Sequence, residues 1–155
     1  MKPTTSPKGI GNITMDLNDW NIIASYTRAE AIADGIQVAI PPEITKEAGI
    51  KYPVFFTQGV YDKYVKVPRG MNHQNEEGRL WDILFMFALK ARKFDSDELN
   101  FQFCCQLPDI GNWTKYEKVC DGNRLLREVT LKAVISPLDL NSPNPAITIL
   151  FPDED

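Results

Sequence analysis

The sequence contains few of the residues from which common active sites are built. Among its 155 residues are one histidine, His73, and three cysteines, Cys104, Cys105 and Cys120. A zinc site with two histidine ligands cannot form within this chain. An odd number of cysteines without a framework spacing also argues against a disulfide-stabilised secreted scaffold. We identify no catalytic residue, no metal ligand and no cofactor motif.

Long apolar runs and an excess of basic residues are also missing. No segment approaches the roughly 20 apolar residues that a transmembrane helix needs, and the first residues include no apolar signal region. We therefore expect a cytoplasmic protein with no membrane partner. The formal net charge is −4, whereas a general nucleic-acid-binding protein needs a basic excess, so we do not expect a nucleic-acid partner.

The size and composition are typical of one globular domain. A length of 155 residues is near the usual domain size, and the sequence contains no repeat or composition change that marks a domain boundary. Residues 1–18 are rich in Pro, Gly, Ser and Thr. We expect a flexible lead-in over residues 1–18 and a single domain over residues 19–155.

The segment Arg79–Lys93 predicts the central helix of this domain. Its apolar residues occur nearly all the way round a helix, which is typical of a helix covered on several sides. Glu76 and Glu77 precede it at the positive end of the helix dipole, and Lys90, Arg92 and Lys93 lie at the negative end. We expect this helix to be buried.

Local signals place shorter elements before the central helix. Thr27 and Glu30 have the spacing of a capping box, and Gly35 follows where a helix C-terminus favours a left-handed residue. A short strand is predicted over residues 36–40, and a further helical turn over residues 43–48. Pro53 suits the first position of a helix that would continue through Val65 and Val67 until Pro68 ends it.

The second half of the chain follows the two-residue period of strands. Apolar residues alternate from Leu99 to Leu107, and one set of alternate residues comprises Leu125, Arg127, Val129, Leu131, Ala133 and Ile135. Residues 113–120 predict a weaker strand, and Asp121–Gly122 a hairpin turn. Residues 137–145 are expected to form a loop before a final strand, Ala146–Phe151.

Helices followed by strands predict a segregated α+β domain. We expect N-terminal helices packed on a C-terminal three- or four-stranded antiparallel sheet. If Ala146–Phe151 forms an exposed edge of that sheet, it could pair with a second copy, so a homo-oligomer is an open alternative.

Several segments resemble a family of small bacterial and phage proteins classed as a domain of unknown function. They are residues 25–35, 47–49 with 52–54, 78–82, 129–134 and 146–155, and they occur in the family's order. Residues 108–123 depart from the pattern, because the family usually has a short turn there. The resemblance implies no established activity. It implies the accessory gene content of plasmids, phages and integrated elements, where small proteins often act by binding.

The best candidate site is the start of the central helix. Arg79, Trp81 and Asp82 lie there, and Arg79 or Arg28 could neutralise Asp82. A helix N-terminus beside an arginine and an aromatic ring can hold an anion or a stacked base, but a structural ion pair that fixes the two helix starts is the simpler explanation of these residues. Trp113 lies outside the strongly periodic segments and is a candidate anchor for a partner protein.

Two functional hypotheses follow. The leading one is a non-enzymatic binding or inhibitory protein that needs no cofactor. It would block a host protein or trap a small ligand, and counter-defence is one such role. The rival is a small hydrolase or nucleotide-processing enzyme that uses Asp82, Arg79, Arg28 and His73. These hypotheses differ in geometry, because an enzyme would need Asp82 and His73 to reach a common substrate.

Overall fold

A computed structural model describes residues 27–71, 73–93 and 95–154. The expected lead-in over residues 1–18 lies outside these residues. The helices are α1 (Arg28–Ala33), α2 (Pro42–Glu47), α3 (Gln58–Val60), which continues as a π-helical turn over Tyr61–Val65, and α4 (Glu76–Ala91). The strands are β1 (Gln37–Ala39), β2 (Val54–Thr57), β3 (Glu98–Gln106), β4 (Glu117–Cys120), β5 (Asn123–Asp139) and β6 (Ser142–Leu150).

The predicted helix signals act as expected. The Thr27 hydroxyl accepts a hydrogen bond from the Glu30 amide, and the Glu30 carboxylate accepts one from the Thr27 amide, which completes the capping box. Gly35 follows α1 with a φ of +75°, and Gly49 follows α2 with a φ of +84°. Both are backbone conformations that glycine adopts without strain.

The six strands form one mixed sheet in the order β1-β2-β6-β5-β3. The β2–β6 pair is parallel and the other pairs are antiparallel. β5 is long enough to have β3 along one edge and β4 followed by β6 along the other, since Val129 pairs with both Phe103 and Glu117. The sheet therefore combines strands from both halves of the chain.

The predicted mixture of helix and strand is confirmed, but the expected sheet of three or four antiparallel strands is wrong. β1 and β2 come from the first half of the chain, and β2 occupies residues that we assigned to a helix beginning at Pro53. The strand Val54–Thr57 is a short, almost wholly buried run. Periodicity alone does not distinguish such a run from part of a buried helix.

The final strand is also placed differently from our expectation. β6 lies between β2 and β5, so the segment 146–151 is not an exposed edge at which a second copy could pair. The expected loop over residues 137–145 is mostly strand, since β5 and β6 meet at a two-residue turn, Leu140–Asn141. Within the described residues, β1 and β3 are the strands at the two ends of the main sheet order.

The segment over residues 108–123, which departs from the family pattern, contains a hairpin whose register shifts between Val119 and Cys120. β4 pairs with the start of β5, and Cys120 lies opposite Asn123. Asp121 and Gly122 both have positive φ, +54° and +73°, which is the backbone of a type I′ turn. The hairpin predicted from Asp121–Gly122 is confirmed.

Helix α4 contributes one side to the hydrophobic core. Leu80, Ile83, Leu84 and Phe87 belong to the same buried cluster as the inward side chains of β3 and β5, and the Phe87 and Phe101 rings meet edge to face at 5.6 Å. The opposite side is only partly covered by the described residues, and it exposes Phe85, Met86 and Leu89 by 36–38%. The expectation that the helix is covered on several sides is therefore wrong.

No helix within residues 27–71, 73–93 and 95–154 is both long enough and apolar enough to cross a membrane.

Candidate functional site

A cavity of about 540 Å³ opens at the start of α4. It lies between the first turns of α4, the loop that precedes them, and the end of β3. Its lining residues are Tyr64, His73, Gln74, Asn75, Gly78, Arg79, Trp81, Asp82, Phe103, Cys104, Cys105, Gln106 and Leu126. Three predicted site residues, Arg79, Trp81 and Asp82, are therefore brought together in one cavity.

Arg79 forms part of the cavity wall and is only 7% exposed. Its Nε donates to the carbonyl oxygen of Tyr64 at 3.0 Å, and its Nη1 donates to that of Gln106 at 3.0 Å. Nη1 also donates to the Gln74 side chain, and Nη2 lies 3.2 Å from the Cys105 sulfur. All these acceptors are uncharged, so the guanidinium joins α4 to β3 without a hydrogen-bonded carboxylate.

Asp82 interacts electrostatically with this arginine. Burial raises the pKa of the Asp82 carboxyl, and the attraction of Arg79 offsets part of that rise. The neighbouring Trp81 ring stacks on Phe85 with centroids 4.7 Å apart and planes 14° from parallel. One side of the cavity entrance is therefore a flat aromatic surface, and it is continuous with the exposed side of α4.

Polar side chains connect the loop before α4 to the end of β3. The Gln106 side-chain oxygen lies 3.1 Å from His73 Nε2 and also accepts a hydrogen bond from the Gln74 amide. Asn75 caps the helix by accepting from the Gly78 amide at 2.6 Å. These bonds hold the rim of the cavity in place, and they explain the cluster of polar residues before the helix.

The two thiols of the cavity are poor nucleophiles at neutral pH. Burial raises the pKa of Cys105 to about 11, although the Arg79 guanidinium opposes the shift. The pKa of Cys104 is also raised, first by partial burial and then by its hydrogen bond with Cys120. Because the thiolate is the reactive form, neither group has the lowered pKa typical of a reactive cysteine.

A second cavity of about 430 Å³ continues along β3. It is lined by Met86, Leu89, Lys90, Lys93, Phe101, Gln102, Phe103, Cys104 and Glu128, and it shares Phe103 and Cys104 with the first cavity. The two cavities form one depression along β3 and the adjacent side of α4, which we call the β3 groove. The lining includes four consecutive strand residues, 101–104, so side chains of both sheet faces border it.

The backbone of β3 offers unpaired hydrogen-bonding groups to this groove. Leu107 donates to the carbonyl of Leu125 at 3.1 Å, and Ile135 donates to that of Asp97 at 2.7 Å. Continued by one residue at each end, the register of β3 with β5 puts Leu107 opposite Leu125 and Asp97 opposite Ile135. The hydrogen-bonded pairs of this ladder are therefore those of the odd-numbered residues of β3. Antiparallel pairing alternates, so the even residues of β3 direct their amides and carbonyls away from β5.

At both ends of β3 these outward groups have partners. The Glu98 carbonyl accepts from the Ser96 hydroxyl and the Gln106 carbonyl accepts from Arg79. Between them, the outward backbone groups of Asn100, Gln102 and Cys104 have no hydrogen bond to any described residue. Within residues 27–71, 73–93 and 95–154, this part of the β3 edge is therefore unpaired, and it borders the groove.

Arg28, a fourth predicted site residue, lies elsewhere. Its Nε donates to the Leu138 carbonyl at 2.6 Å, its Nη1 donates to Gln37 and Thr148, and its guanidinium lies 4.2 Å from the Phe55 ring centroid. Arg28 therefore holds α1 against β1, β5 and β6. It lines neither cavity.

Trp113, the fifth, covers a charged cluster that the sequence analysis did not identify. Its ring lies 4.1 Å from the guanidinium carbon of Arg127, which is fully buried. Arg127 Nη1 lies 2.8 Å from Glu117 Oε1, and the other Glu117 oxygen accepts from the Tyr64 hydroxyl and lies 3.1 Å from Lys63 Nζ. The available signal was a charged residue at an inward-facing strand position, which predicts a buried ion pair.

When the chain is compared with models of known protein families, with curated proteins and with solved structures, nothing matches it. The resemblance to the family of small bacterial and phage proteins therefore stays a prediction. In the described part of the chain, no group of three or more His, Cys, Asp and Glu side chains is arranged to hold a metal ion.

Proposed function

We propose that this protein binds an extended segment of a partner protein, which adds as a strand to the open edge of β3 in the β3 groove. One observation carries the proposal. The outward backbone groups of Asn100, Gln102 and Cys104 have no hydrogen bond to a described residue, and they lie beside a groove bordered by α4. Recognition by strand addition uses such an edge, because main-chain hydrogen bonds supply affinity and side-chain pockets supply specificity.

The groove has the dimensions that this mode of binding needs. Strand residues repeat every 3.3 Å or so, so the lining from Phe101 to Gln106 spans roughly 17 Å and faces about five residues of an extended segment. Two cavities of about 540 and 430 Å³ stand beside that path. Alternate side chains of an added strand point to the same face. Such side chains of the bound segment can fill the two cavities.

Binding fits the chemistry of the groove better than catalysis does. The pKa of Cys105 is raised to about 11 and that of Cys104 is also raised, whereas an activated thiol has a lowered pKa. Every nitrogen of the Arg79 guanidinium is engaged by the protein. The proposal includes the inhibitory role of an accessory protein that the family resemblance implies, in which a bound host protein is blocked.

The test uses Gln102, whose amide points away from β5. Proline at this position removes one edge donor and leaves the β3–β5 hydrogen bonds in place, as proline is tolerated at sheet edges. Octapeptides that bind the full-length protein would be selected from a peptide display library. Their affinities would then be measured by fluorescence polarisation. We expect Gln102→Pro to weaken binding at least tenfold and Gln102→Ala, which keeps the amide, to bind like the parent protein.

A second measurement keeps the test informative if Gln102→Pro does not fold. On peptide binding, the amides of Gln102 and Cys104 should exchange hydrogen more slowly, and methylating a backbone nitrogen of the peptide that faces β3 should weaken binding. Selected peptides that bind without protecting these amides would overturn strand addition. The absence of any selected peptide would also count against the proposal.

A second candidate function is supported by one observation, the shared lining of the first cavity by His73, Asp82 and Arg79. The rival hypothesis of a hydrolase or nucleotide-processing enzyme required such a shared pocket. Its test is turnover of nucleoside triphosphates and their phosphodiesters by the purified protein. Activity that disappears in Asp82→Asn and persists in Gln102→Pro would favour this enzyme.

A further inference from the structure

Two of the three cysteines meet on the exposed side of the sheet. Cys104 is an exposed residue of β3 and lies opposite Glu128 of β5. Cys120 is the last residue of β4, on the other side of β5, and it is partly exposed. The two thiols form a hydrogen bond with each other. Cys105 belongs to the opposite face of β3, because neighbours on a strand alternate, and it is buried.

An irregularity at the end of β4 accounts for this contact. In a regular ladder, β3 and β4 would lie roughly 10 Å apart, since β5 separates them and neighbouring strands are about 4.8 Å apart. Cysteines at that separation cannot be joined, because a disulfide needs Cα atoms roughly 4.4–6.8 Å apart. The register of β4 with β5 shifts between Val119 and Cys120. This shift takes Cys120 out of the regular ladder, and its thiol reaches that of Cys104.

The surroundings favour reaction at this pair over the third thiol. Cys104 lines both cavities of the β3 groove, so a small reagent in solution can reach it. The neighbouring Glu128 carboxylate lies 3.0 Å from the Lys118 ammonium group. The Cys105 sulfur, in contrast, is buried and lies 3.2 Å from Arg79 Nη2. An oxidant should therefore distinguish between two cysteines that are adjacent in the sequence.

We propose that Cys104 and Cys120 form a reversible disulfide when the protein meets a low-molecular-weight disulfide such as oxidised glutathione. The thiolate of one cysteine attacks a glutathione sulfur and releases one glutathione thiolate. The second cysteine, after losing its proton, attacks the protein sulfur of the mixed disulfide and releases the other. Two protein thiols are oxidised and one glutathione disulfide is reduced. The two protons pass through water to the glutathione thiolates.

The first step should be slow at neutral pH. Partial burial and then the hydrogen bond with Cys120 raise the pKa of the Cys104 thiol, and the negative charges of Glu128 and Asp121 act in the same direction. Because the thiolate is the nucleophile, a raised pKa reduces the reactive fraction. The second step is intramolecular, so the neighbouring thiol acts at a high effective concentration. The mixed disulfide should therefore not accumulate.

The test treats the native full chain with oxidised glutathione at about pH 8, followed by alkylation, trypsin digestion and mass spectrometry. Cleavage after Lys118 and Arg124 puts Cys120 on a different peptide from Cys104 and Cys105. We expect these peptides to be cross-linked, in roughly tenfold or greater excess over glutathionylated protein. The matched variants are Cys104→Ser, which should abolish the cross-link, and Cys105→Ser, which should keep it.

A second measurement needs no variant. A disulfide that fits the native structure stabilises it mainly by restricting the unfolded chain. The oxidised parent protein should therefore unfold at a higher urea concentration than the reduced protein, and dithiothreitol should reverse the shift. Persistent glutathionylation without a cross-link, a cross-link that survives in Cys104→Ser, or unfolding of the oxidised protein at lower urea would each overturn the proposal. Thiols that stay unreacted after prolonged treatment would also overturn it.

Discussion

Two buried arginines illustrate how differently the same side chain is accommodated on the two sides of Tyr64. Arg127 is fully buried, pairs with Glu117 and is covered by Trp113. Arg79 is 7% exposed, has uncharged hydrogen-bond acceptors and borders an open cavity. Tyr64 contacts both regions, since its hydroxyl donates to Glu117 and its carbonyl accepts from Arg79.

The difference separates a structural cluster from an accessible one. A charge deep in the protein must be paired, because an unpaired buried ion is costly. The Arg127 cluster meets this requirement internally. Among the described residues, Arg127 Nε is the one buried side-chain nitrogen or oxygen that lacks a hydrogen-bond partner. The Arg79 region leaves a cavity beside the charge, which is why our proposal places partner binding there.

The largest expected change in the free energy of unfolding comes from breaking the buried ion pair of Arg127 with Glu117. Arg127→Met leaves Glu117 buried without its guanidinium partner, and breaking one side of a buried pair costs about 3–5 kcal/mol. We expect a loss of this size in the free energy of unfolding, measured by urea denaturation. Adding Glu117→Gln should cost less than the sum of the two single changes, because the residues share one interaction. Simple additivity would show that the pair is not energetically coupled.

The open arginine should contribute less to stability. Arg79→Met removes hydrogen bonds to the carbonyls of Tyr64 and Gln106, and water in the adjacent cavity can satisfy these acceptors in part. We expect a loss of about 1–3 kcal/mol in the same urea measurement. A loss as large as that of Arg127→Met would contradict the distinction between a closed and an open site.

Acid should affect the closed cluster through Glu117. Burial raises the pKa of the Glu117 carboxyl, but hydrogen bonds from Tyr64, Lys63 and Arg127 outweigh burial and lower it below the usual 4.5. A lowered folded-state pKa stabilises the fold above the unfolded value, and this contribution is lost as pH falls through the folded value. The free energy of unfolding of the parent protein should therefore fall more steeply below about pH 4.5 than that of Glu117→Gln.

The difference between those two pH curves is the quantity to measure, because other carboxylates titrate in both proteins. Parallel curves between pH 7 and pH 3 would mean that Glu117 has the same pKa in the folded and unfolded states. The effect on the free energy of unfolding should be smaller than that of Arg127→Met or Arg79→Met, since protonation leaves the Glu117 side chain and its neighbours in place.

Local patterns were sufficient to predict several elements. The capping box of Thr27 and Glu30, the alternation of Leu99–Leu107 and the turn at Asp121–Gly122 each depend on residues close in the chain. The strand Val54–Thr57 could not be identified in the same way, because its strand conformation is fixed by pairing with β1 and β6. The sequence also grouped Arg79, Trp81 and Asp82 correctly, since a helix start brings near neighbours together.

The sequence by itself determined the mixed helix and strand content, the main caps and turns, and a candidate site at the start of α4. The tertiary structure decided that β6 is internal, that β3 is an edge strand, and that Trp113 covers Arg127 rather than joining Arg79. The physical reason is that strand neighbours and buried ion pairs connect residues far apart in the chain. The packing of the whole domain determines which of these distant residues pair, and the local periodicity of the sequence does not show it.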